Sequence, residues 1–338
     1  MSPIPQKVNS IGVIVGRDLI GDALIKLPFV RALRNAFPQA SIHWITSQGS
    51  TAYGNALRDA THSLINEVHE QPEWLKVTTR EGGIAGGQTP APHFDVLIDT
   101  RNRWREARLA RQVPHNIFIA PAMRFLFSEK RPALWRKRPL HLCDRLLQMV
   151  ELAAGYVPPS TGALDVPEAL MQKARAMLPE GSIYVGLAPG AGNPVKIWPR
   201  YKFEKLAALQ IGKGRVPVFI LGPQELSAHG ALSSAVPSAL FPLQDYNGWG
   251  TAQLTIDHTL ALARRLDVAV ANDSGVGHML AAADCPLISL FGPTSPAKLA
   301  PRVSRGFVIR AQDYGSEEMK AITWENVGAA VDRMLEGQ

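Results

Sequence analysis

Residues 272–278, NDSGVGH, stand between two apolar runs and have the composition of an anion-binding turn. Ser274 and Gly275 come just before a predicted helix at 276–283. The first amides of a helix have no acceptors within the helix, so they can bind a phosphate or diphosphate group. Asp273 cannot serve a phosphate directly, and we expect it to orient loop amides or to bind a sugar hydroxyl.

His278 closes the same segment and has two interpretations. Its imidazole can donate a hydrogen bond to a phosphate, or it can pack against the core as a helix histidine commonly does. A serine hydrolase built on Ser274 is disfavoured, because the Gly-x-Ser-x-Gly pattern of a nucleophile elbow does not occur here.

The segment 187–199, LAPGAGNPVKIWP, follows a predicted strand and combines two glycines with a cation. Gly190 and Gly192 allow the backbone to approach a ligand closely, and Lys196 can contact its negative charge. The segment completes neither the Gly-x-Gly-x-x-Gly pattern of dinucleotide domains nor the Gly-Lys-Ser/Thr of a P-loop. This disfavours a dehydrogenase and an NTPase; the alternative is a Gly-rich turn with a solvated lysine.

Glu225 comes shortly after the end of another predicted strand, in the sequence FILGPQE. A carboxylate in this position can accept hydrogen bonds from the hydroxyls of a ribose. A glutamate in an exposed loop is the alternative interpretation.

The segment 16–28, GRDLIGDALIKLP, lies between the first predicted strand and its helix. Asp22 stands where an N-cap belongs, so it either only caps the helix or serves as a general base. Asp18 competes for the second role, and Arg17 is a candidate anion contact. The spacing alone does not decide between the two carboxylates.

The positive charge of the chain is concentrated in one segment. The formal net charge is +7, yet residues 101–145 contain twelve lysines and arginines against three acidic residues, a net charge of +9. We therefore expect this segment, with Arg101 and Arg103 at its start, to face an anionic partner.

Length and composition indicate a globular protein of two domains. The chain has 338 residues, 46% of them apolar and 19% charged. It contains no run of about 18 apolar residues that could span a membrane, and its N-terminus lacks the apolar core of a signal peptide. Cys143 and Cys285 are far apart in the sequence, which predicts two buried free thiols in a reducing, cytoplasmic compartment.

Strand-like runs alternate with helical patterns along the whole chain. Strands are predicted at 11–15, 42–45, 95–98, 116–119, 183–188, 216–221, 268–271, 287–291 and 307–309. Helices are predicted before Pro38 and at 140–154, 201–210, 253–265, 276–283 and 324–335. The segment 78–94 is predicted to be a loop. This alternation predicts an α/β protein with parallel sheets covered on both faces.

A Pro-rich linker at 155–167 divides the alternation into two Rossmann-like domains. We predict one domain at 1–160 and a second at 167–322, with a C-terminal helix at 323–338 that packs back on the first. Ligands of such sheets bind beyond the carboxyl ends of the strands. Every polar cluster described above follows a predicted strand.

The order of these motifs resembles glycosyltransferase family nine, the ADP-heptose:lipopolysaccharide heptosyltransferases and their relatives of the GT-B fold. The similarity covers about residues 11–302. It rests on five ordered motifs: GD…LP, PG…K-x-WP, the Gly-x-x-Glu strand end, D-S-G-x-x-H and FGPT.

The resemblance implies an inverting glycosyltransferase whose two domains face a central cleft. Asp22 matches the catalytic base of the family. Lys196, Gly190 and the 273–278 loop would hold the donor diphosphate, and Glu225 would bind the ribose. The implied donor is ADP-heptose, and no cofactor is required. No Asp-x-Asp pair occurs, so a bridging metal is not predicted.

The acceptor implied by the resemblance is an anionic, lipid-linked saccharide of the lipopolysaccharide core. The first domain would bind it through its basic segment, with Arg17, Asp18, Arg101 and Arg103 as acceptor or anion contacts. Such a protein is expected in the cytoplasm, in peripheral contact with the inner face of the inner membrane.

Two other functions stay open at this point. Better-known members often carry Ser or Thr where this chain has Arg17 and Asp18, which leaves another nucleotide sugar for a cell-surface polysaccharide as an alternative. The basic segment also permits a nucleic-acid-binding protein, although no known reader motif accompanies it.

Overall fold

The computed structural model describes residues 7–75, 90–245, 249 and 254–337. The chain divides into two compact units, Met1–Ser160 and Thr161–Gln338. The boundary falls inside the Pro-rich segment 155–167. Most of the predicted loop at 78–94 lies outside the described residues.

The first unit is built on a parallel sheet of five strands in the order β3-β2-β1-β4-β5. Its strands are β1 (Ser10–Val15), β2 (Ser41–Thr46), β3 (Glu67–Glu70), β4 (Phe94–Asp99) and β5 (His115–Ile119). Its described helices are α1 (Ile20–Ala36), α2 (Arg58–Thr61), α3 (Trp104–Ala110) and α4 (Leu142–Ala154). The central strands read as continuous apolar runs because helices cover both faces of the sheet.

The second unit also has a parallel sheet of five strands, in the order β10-β9-β8-β6-β7. Its strands are β6 (Tyr184–Ala188), β7 (Val216–Phe219), β8 (Val268–Asn272), β9 (Leu287–Phe291) and β10 (Gly306–Arg310). Its described helices are α5 (Glu168–Met177), α6 (Arg200–Gly212), α7 (His229–Ala235), α8 (Pro242–Asp245), α9 (Ile256–Ala263), α10 (Gly275–Ala282), α11 (Pro296–Leu299) and α12 (Trp324–Glu336). The prediction of an α/β protein with two parallel sheets is therefore confirmed.

Both strand orders contain a point where successive connections run in opposite directions. In the first sheet this point lies between β1 and β4, and in the second it lies between β6 and β8. Ligands of open parallel sheets bind at such points, beyond the carboxyl ends of the strands. We call the loops that follow the strands of the first sheet the first rim and those of the second sheet the second rim.

The C-terminal helix α12 was expected on the first unit, and in the structure it packs on the second. Its apolar face contributes Val327 and Val331 to the core that surrounds β6 and β8. Gly328 makes this packing possible: a β-carbon there would lie 2.5 Å from Leu209 of α6. The sequence shows the apolar face of α12 but not which unit it covers.

Two smaller expectations concern the cysteines and membrane spans. Cys143 and Cys285 are both free and buried, as predicted, and burial raises the pKa of the Cys285 thiol. Within the described part of the chain, no helix combines the length and apolarity needed to cross a bilayer.

Candidate functional site

Three of the sequence motifs meet at the second rim. The Lys196 ammonium donates a 2.8 Å hydrogen bond to Oδ2 of Asp273, and the Thr294 hydroxyl donates a 2.6 Å bond to the same oxygen. Lys196 lies in the loop after β6, Asp273 follows β8, and Thr294 follows β9. The Asp273 side chain is only 6% exposed, whereas Lys196 is 24% exposed. The carboxylate is thus the buried anchor that fixes the lysine at the surface of the rim.

Asn272 connects the same loops through neutral hydrogen bonds, a role that the sequence analysis missed. Its amide nitrogen donates to the carbonyl of Pro189 at 2.7 Å, and its amide oxygen accepts from the backbone of Trp198 at 3.2 Å. The residue is 1% exposed. A buried amide with both functions satisfied holds its partners strongly in place, so the segment around Lys196 is fixed at both ends.

The start of α10 forms the centre of the second rim. Ser274 is the N-cap, and its hydroxyl accepts a hydrogen bond from the Gly277 amide at 3.3 Å. The amides of Gly275 and Val276 have no acceptors within the helix. Gly275 is exposed, and nothing lies within 4 Å of the position that its β-carbon would take, so the start of the helix is accessible there. His278, in the first turn of the helix, is buried.

Gly190 and Glu225 belong to one contact. A β-carbon on Gly190 would lie 2.3 Å from the carboxyl carbon of Glu225, so only glycine accommodates the carboxylate in this position. Oε2 of Glu225 also accepts a hydrogen bond from the backbone amide of Gly222 at 3.0 Å. Glu225 is half-buried, and this hydrogen bond fixes the direction of its side chain. It therefore differs from the solvated glutamate of an exposed loop. The glycine admits this side chain to the loop after β6.

The first rim contains a buried carboxylate, Asp18, that is fully engaged. It accepts hydrogen bonds from the ammonium of Lys26, from Nε1 of Trp44 at 3.1 Å and from the hydroxyl of Thr51 at 3.2 Å. Asp18 is 1% exposed. Its three donors come from α1, β2 and the loop after β2, so it joins these elements, and neither oxygen is left to face a substrate.

Asp22 has the opposite environment. It is the third residue of α1, and Leu19, without a side-chain hydrogen bond, is the N-cap. The prediction that Asp22 stands at the N-cap position is therefore wrong by three residues, and its carboxylate does not cap the helix. Asp22 is exposed, and the described residues provide no hydrogen bond or ion pair for it. Arg17, at the end of β1, is exposed in the same way.

Arg101 is held inside the first unit. Its guanidinium forms two hydrogen bonds with Asp99, of 2.8 and 3.0 Å, and is 9% exposed. Burial raises the pKa of the Asp99 carboxyl, and the bonds to Arg101 oppose this shift. Arg103 is 77% exposed and only 3.5 Å from Glu106 at its nearest approach. Of the two arginines, Arg103 is the one with a free surface to offer an anion.

The basic segment folds around a cavity of about 2080 Å³ in the first unit, which we call the cationic cavity. Its lining includes nine lysines and arginines and a single acidic residue, Glu106. Large apolar side chains accompany them at its edge: Leu134 is 94% exposed and Trp135 is 85% exposed. A surface that is both cationic and apolar suits an amphiphilic ligand with phosphate groups better than a small inorganic anion.

One wall of the cationic cavity is a strained turn. Met123, Arg124 and Phe125 have positive φ angles of 48°, 55° and 65°. The left-handed conformation costs a non-glycine residue roughly 1–2 kcal/mol. Phe125 is buried and anchors the turn, while Met123 is exposed. Strain of this kind persists where the surrounding structure enforces it, and it is concentrated at ligand sites.

Comparison with solved structures identifies the fold. The structure of E. coli heptosyltransferase WaaC with ADP superimposes with a TM-score of 0.67 at 19% sequence identity, over 96% of this chain and 99% of that one. The two parallel five-stranded sheets are thus those of a GT-B-like α/β protein.

The chain belongs to glycosyltransferase family 9 (heptosyltransferase), whose domain matches residues 90–326. The lipooligosaccharide heptosyltransferase 2 of Haemophilus influenzae is 31% identical over 140 residues, an alignment that covers 41% of this chain and about two fifths (39%) of that relative. The lipopolysaccharide heptosyltransferase 3 of Escherichia coli is 22% identical over 351 residues, 93% of this chain and 96% of that one.

Proposed function

We propose that the protein transfers a heptose from ADP-heptose, with inversion, to the core saccharide of a lipopolysaccharide. The family match supports the class of reaction, and the relatives' names supply the sugar and the acceptor. The observation that carries the donor assignment is the fixed ammonium of Lys196 beside the open start of α10.

In this proposal the second rim binds the donor diphosphate. Asp273 engages one of the three ammonium protons of Lys196, which leaves two for phosphate oxygens. The amides of Gly275 and Val276 add a second set of donors at the positive end of the helix dipole. Glu225 lies in the loop after β7, where a carboxylate can accept from the ribose hydroxyls. His278 would add an imidazole donor for a phosphate oxygen, and Gly190 leaves room for the Glu225 carboxylate.

In this proposal the second rim needs positive charge but no acidic side chain, because of the chemistry of the leaving group. Breaking the glycosidic bond of a nucleotide sugar releases a nucleoside diphosphate, which is stable as an anion and needs no proton from an acid. Preorganised donors that meet its developing charge are sufficient. In the proposed mechanism Lys196 and the helix start supply this charge without a metal ion.

Asp22 is the proposed general base. The acceptor hydroxyl is a poor nucleophile, and a base must take its proton as the oxygen attacks the anomeric carbon. Asp22 is exposed and has no partner in the described residues, whereas Asp18 is held by three donors. A base needs a free lone pair, so we assign this role to Asp22 and a structural role to Asp18.

The cationic cavity is the proposed acceptor site. Its arginines complement the phosphates of a lipopolysaccharide core, and exposed Leu134 and Trp135 suit the headgroup region of a membrane. Arg17 and Arg103 are the exposed cations that we assign to acceptor contacts. Arg101 contributes indirectly, since its ion pair with Asp99 fixes the backbone before Arg103.

Calorimetric titration with ADP, UDP, GDP and CMP tests the donor assignment. We expect selective binding of ADP, and we expect Lys196→Ala to weaken it by about 10- to 100-fold, the value of a hydrogen bond to a charged group. Lys213→Ala is the matched control. Lys213 also pairs with an aspartate, Asp332, but it lies between α6 and the start of β7, at the amino ends of the strands.

Each alternative outcome has a definite meaning. Preference for UDP or GDP would retain the glycosyltransferase and exclude ADP-heptose, in favour of another nucleotide sugar for a surface polysaccharide. Equal binding by Lys196→Ala and the wild-type protein would exclude the proposed diphosphate site. Tight, salt-dependent binding of a random oligonucleotide without any nucleotide binding would favour a nucleic-acid-binding function of the cationic cavity.

A further inference from the structure

The edge of the first sheet carries a cluster of metal-ligating side chains that the proposed reaction does not use. His43 lies on β2, and Glu67 and His69 lie on the edge strand β3. His43 is the register partner of Glu67 in the parallel ladder. Side chains alternate between the two faces of a strand, so Glu67 and His69 point to the same side. We call these three residues the His–Glu–His triangle.

The donor atoms of the triangle converge closely. Nδ1 of His43 lies 3.0 Å from Nε2 of His69, and each of these nitrogens lies 3.4 Å from Oε2 of Glu67. Ligands at the usual zinc distances of 2.0–2.2 Å and at tetrahedral angles are separated from each other by about 3.3 Å. The triangle therefore has the dimensions of one face of a tetrahedral zinc site.

Hydrogen bonding alone accounts poorly for this arrangement. A proton on one of the two facing nitrogens can satisfy the contact between the imidazoles. Both contacts to the carboxylate are longer than an ordinary N–H···O bond of 2.7–3.2 Å. The imidazole planes are 6° apart with centroids at 5.3 Å, a geometry that fits a hydrogen bond between the two facing nitrogens. Such a bond leaves both carboxylate contacts at 3.4 Å, whereas one cation could bind all three donor atoms.

The surroundings of the triangle resemble those of a metal site. The ring of Phe94 lies against His43 with its centroid at 5.3 Å, and the ring of Trp74 lies against His69 at 6.2 Å. These rings form an apolar wall on the inner side of the triangle. Glu67 is 56% exposed, so a fourth ligand, such as water, can approach from solvent.

We propose that His43, Glu67 and His69 bind a divalent transition-metal ion, with Zn²⁺ as the ion that best fits the donor set. Two imidazoles and one carboxylate are common ligands of Zn²⁺, and they disfavour Mg²⁺ and Ca²⁺, which prefer oxygen. The ion would link side chains of β3 to β2, which is the one strand that pairs with β3 among the described residues. It would serve the structure of the first unit and take no part in the proposed transfer.

The position of β3 gives this link a consequence for the first rim. Glu70, at the end of β3, accepts a hydrogen bond from the backbone amide of Thr51 at 2.9 Å. The hydroxyl of Thr51 in turn donates to Asp18. A metal ion that fixes β3 would thereby stabilise the loop that positions Asp18 and the start of α1.

Zinc binding to the metal-free protein tests the proposal. The protein is first stripped with a chelator, and its Zn²⁺ affinity is then measured by competition with a chromophoric chelator. We expect Glu67→Gln and His69→Ala each to weaken Zn²⁺ binding by at least about 100-fold, above the range typical for loss of an outer-shell partner. His62→Ala, which removes an exposed histidine of the same unit, should bind Zn²⁺ like the wild-type protein.

Two further measurements separate a metal site from a folding effect. Glu67 is exposed, so the metal-free Glu67→Gln variant should unfold at the same temperature as the metal-free wild-type protein. Zn²⁺ should raise the Tm of the wild-type protein by several degrees and leave that of the variant unchanged. Co²⁺ in place of Zn²⁺ should give the intense visible absorption of a tetrahedral complex, and the double variant His43→Ala/His69→Ala should lack it.

The proposal fails if Glu67→Gln and His69→Ala retain the wild-type affinity for Zn²⁺, because the ion then binds to other surface groups. It also fails if Zn²⁺ leaves the Tm of the wild-type protein unchanged, or if Co²⁺ gives only the weak spectrum of the aqueous ion.

Discussion

The two rims place their charged side chains in opposite environments. At the second rim Lys196 and Thr294 both donate to Asp273, and the neighbouring Asn272 has both functions of its amide satisfied. At the first rim one carboxylate, Asp18, accepts hydrogen bonds from three donors, whereas Asp22 is exposed and has no partner among the described residues. The second rim is held together by hydrogen bonds between its polar side chains and neighbouring loops. The first rim has one carboxylate with a structural role, Asp18, and one exposed carboxylate, Asp22.

This difference corresponds to two chemical tasks. A site that stabilises developing negative charge works best when its donors are fixed before the reaction, because no energy is then spent on reorganising them. A general base must instead have a lone pair that no protein donor occupies. On this argument the rigid second rim suits the diphosphate, and Asp22 suits the acceptor hydroxyl.

The largest expected effect belongs to the free carboxylate. Asp22→Asn keeps the size of the side chain but removes its basicity. We expect it to lower the rate of heptose transfer from ADP-heptose to a heptose-deficient lipopolysaccharide by about 100- to 10,000-fold. ADP binding, measured by calorimetry, should stay unchanged, because Asp22 is not among the proposed donor contacts.

Asp59→Asn is the matched control for Asp22, since Asp59 is also an exposed acid in the first turn of a helix of the first unit. Its transfer rate should equal that of the wild-type protein. Wild-type turnover in Asp22→Asn would remove Asp22 from the mechanism and with it the contrast between the two carboxylates.

Replacing Asp18 should lower the stability of the fold, because this carboxylate accepts hydrogen bonds from three donors. Asp18→Ala leaves Lys26, whose side chain is 13% exposed, without its counter-ion and frees the donors of Trp44 and Thr51. We expect the free energy of unfolding, measured by urea denaturation, to fall by roughly 3–5 kcal/mol. Removing the charge of the partner as well, in Asp18→Ala/Lys26→Met, should restore part of this loss. A loss below that of an ordinary surface substitution would show that the Asp18 interactions contribute little.

The cross-linking of the second rim can be tested at Asp273. Asp273→Asn removes the ion pair with Lys196 but keeps an oxygen for Thr294. If the carboxylate serves to position the lysine, ADP affinity should fall by about 10- to 100-fold, the value of a hydrogen bond to a charged group. If it only neutralises charge, ADP affinity should rise. Asp332→Asn, which affects the Lys213 pair at the other edge, should leave ADP binding unchanged.

Much of the second rim could be predicted from the sequence, because its groups follow the ends of neighbouring parallel strands. Such ends meet at one edge of a sheet, and this brings Lys196, Asp273 and Thr294 together. The role of Asn272 was missed because its partners, Pro189 and Trp198, are more than 70 residues away. Only the register of β6 with β8 brings them into contact.

The first unit was less accessible to sequence analysis. Strand β3 (EVHE) was missed because it is a short edge strand with charged residues, which do not give an apolar alternation. The His–Glu–His triangle was missed with it, since its ligands come from two strands. Asp18 and Asp22 could not be distinguished, because the donors of Asp18 come from three separate elements.

The smallest expected effect is also the most specific test of how the second rim is built. Gly190→Ala places a methyl group where the Glu225 carboxylate lies, and the glutamate must turn away because its side chain is the flexible partner. We expect the free energy of unfolding to change by less than about 1 kcal/mol, since a side-chain end yields more easily than backbone. ADP affinity should fall by about threefold to tenfold, as in Glu225→Gln, because both variants weaken the same proposed bond to the ribose. The double variant should bind ADP no more weakly than either single variant, and additive losses would mean that Gly190 and Glu225 act on the nucleotide independently.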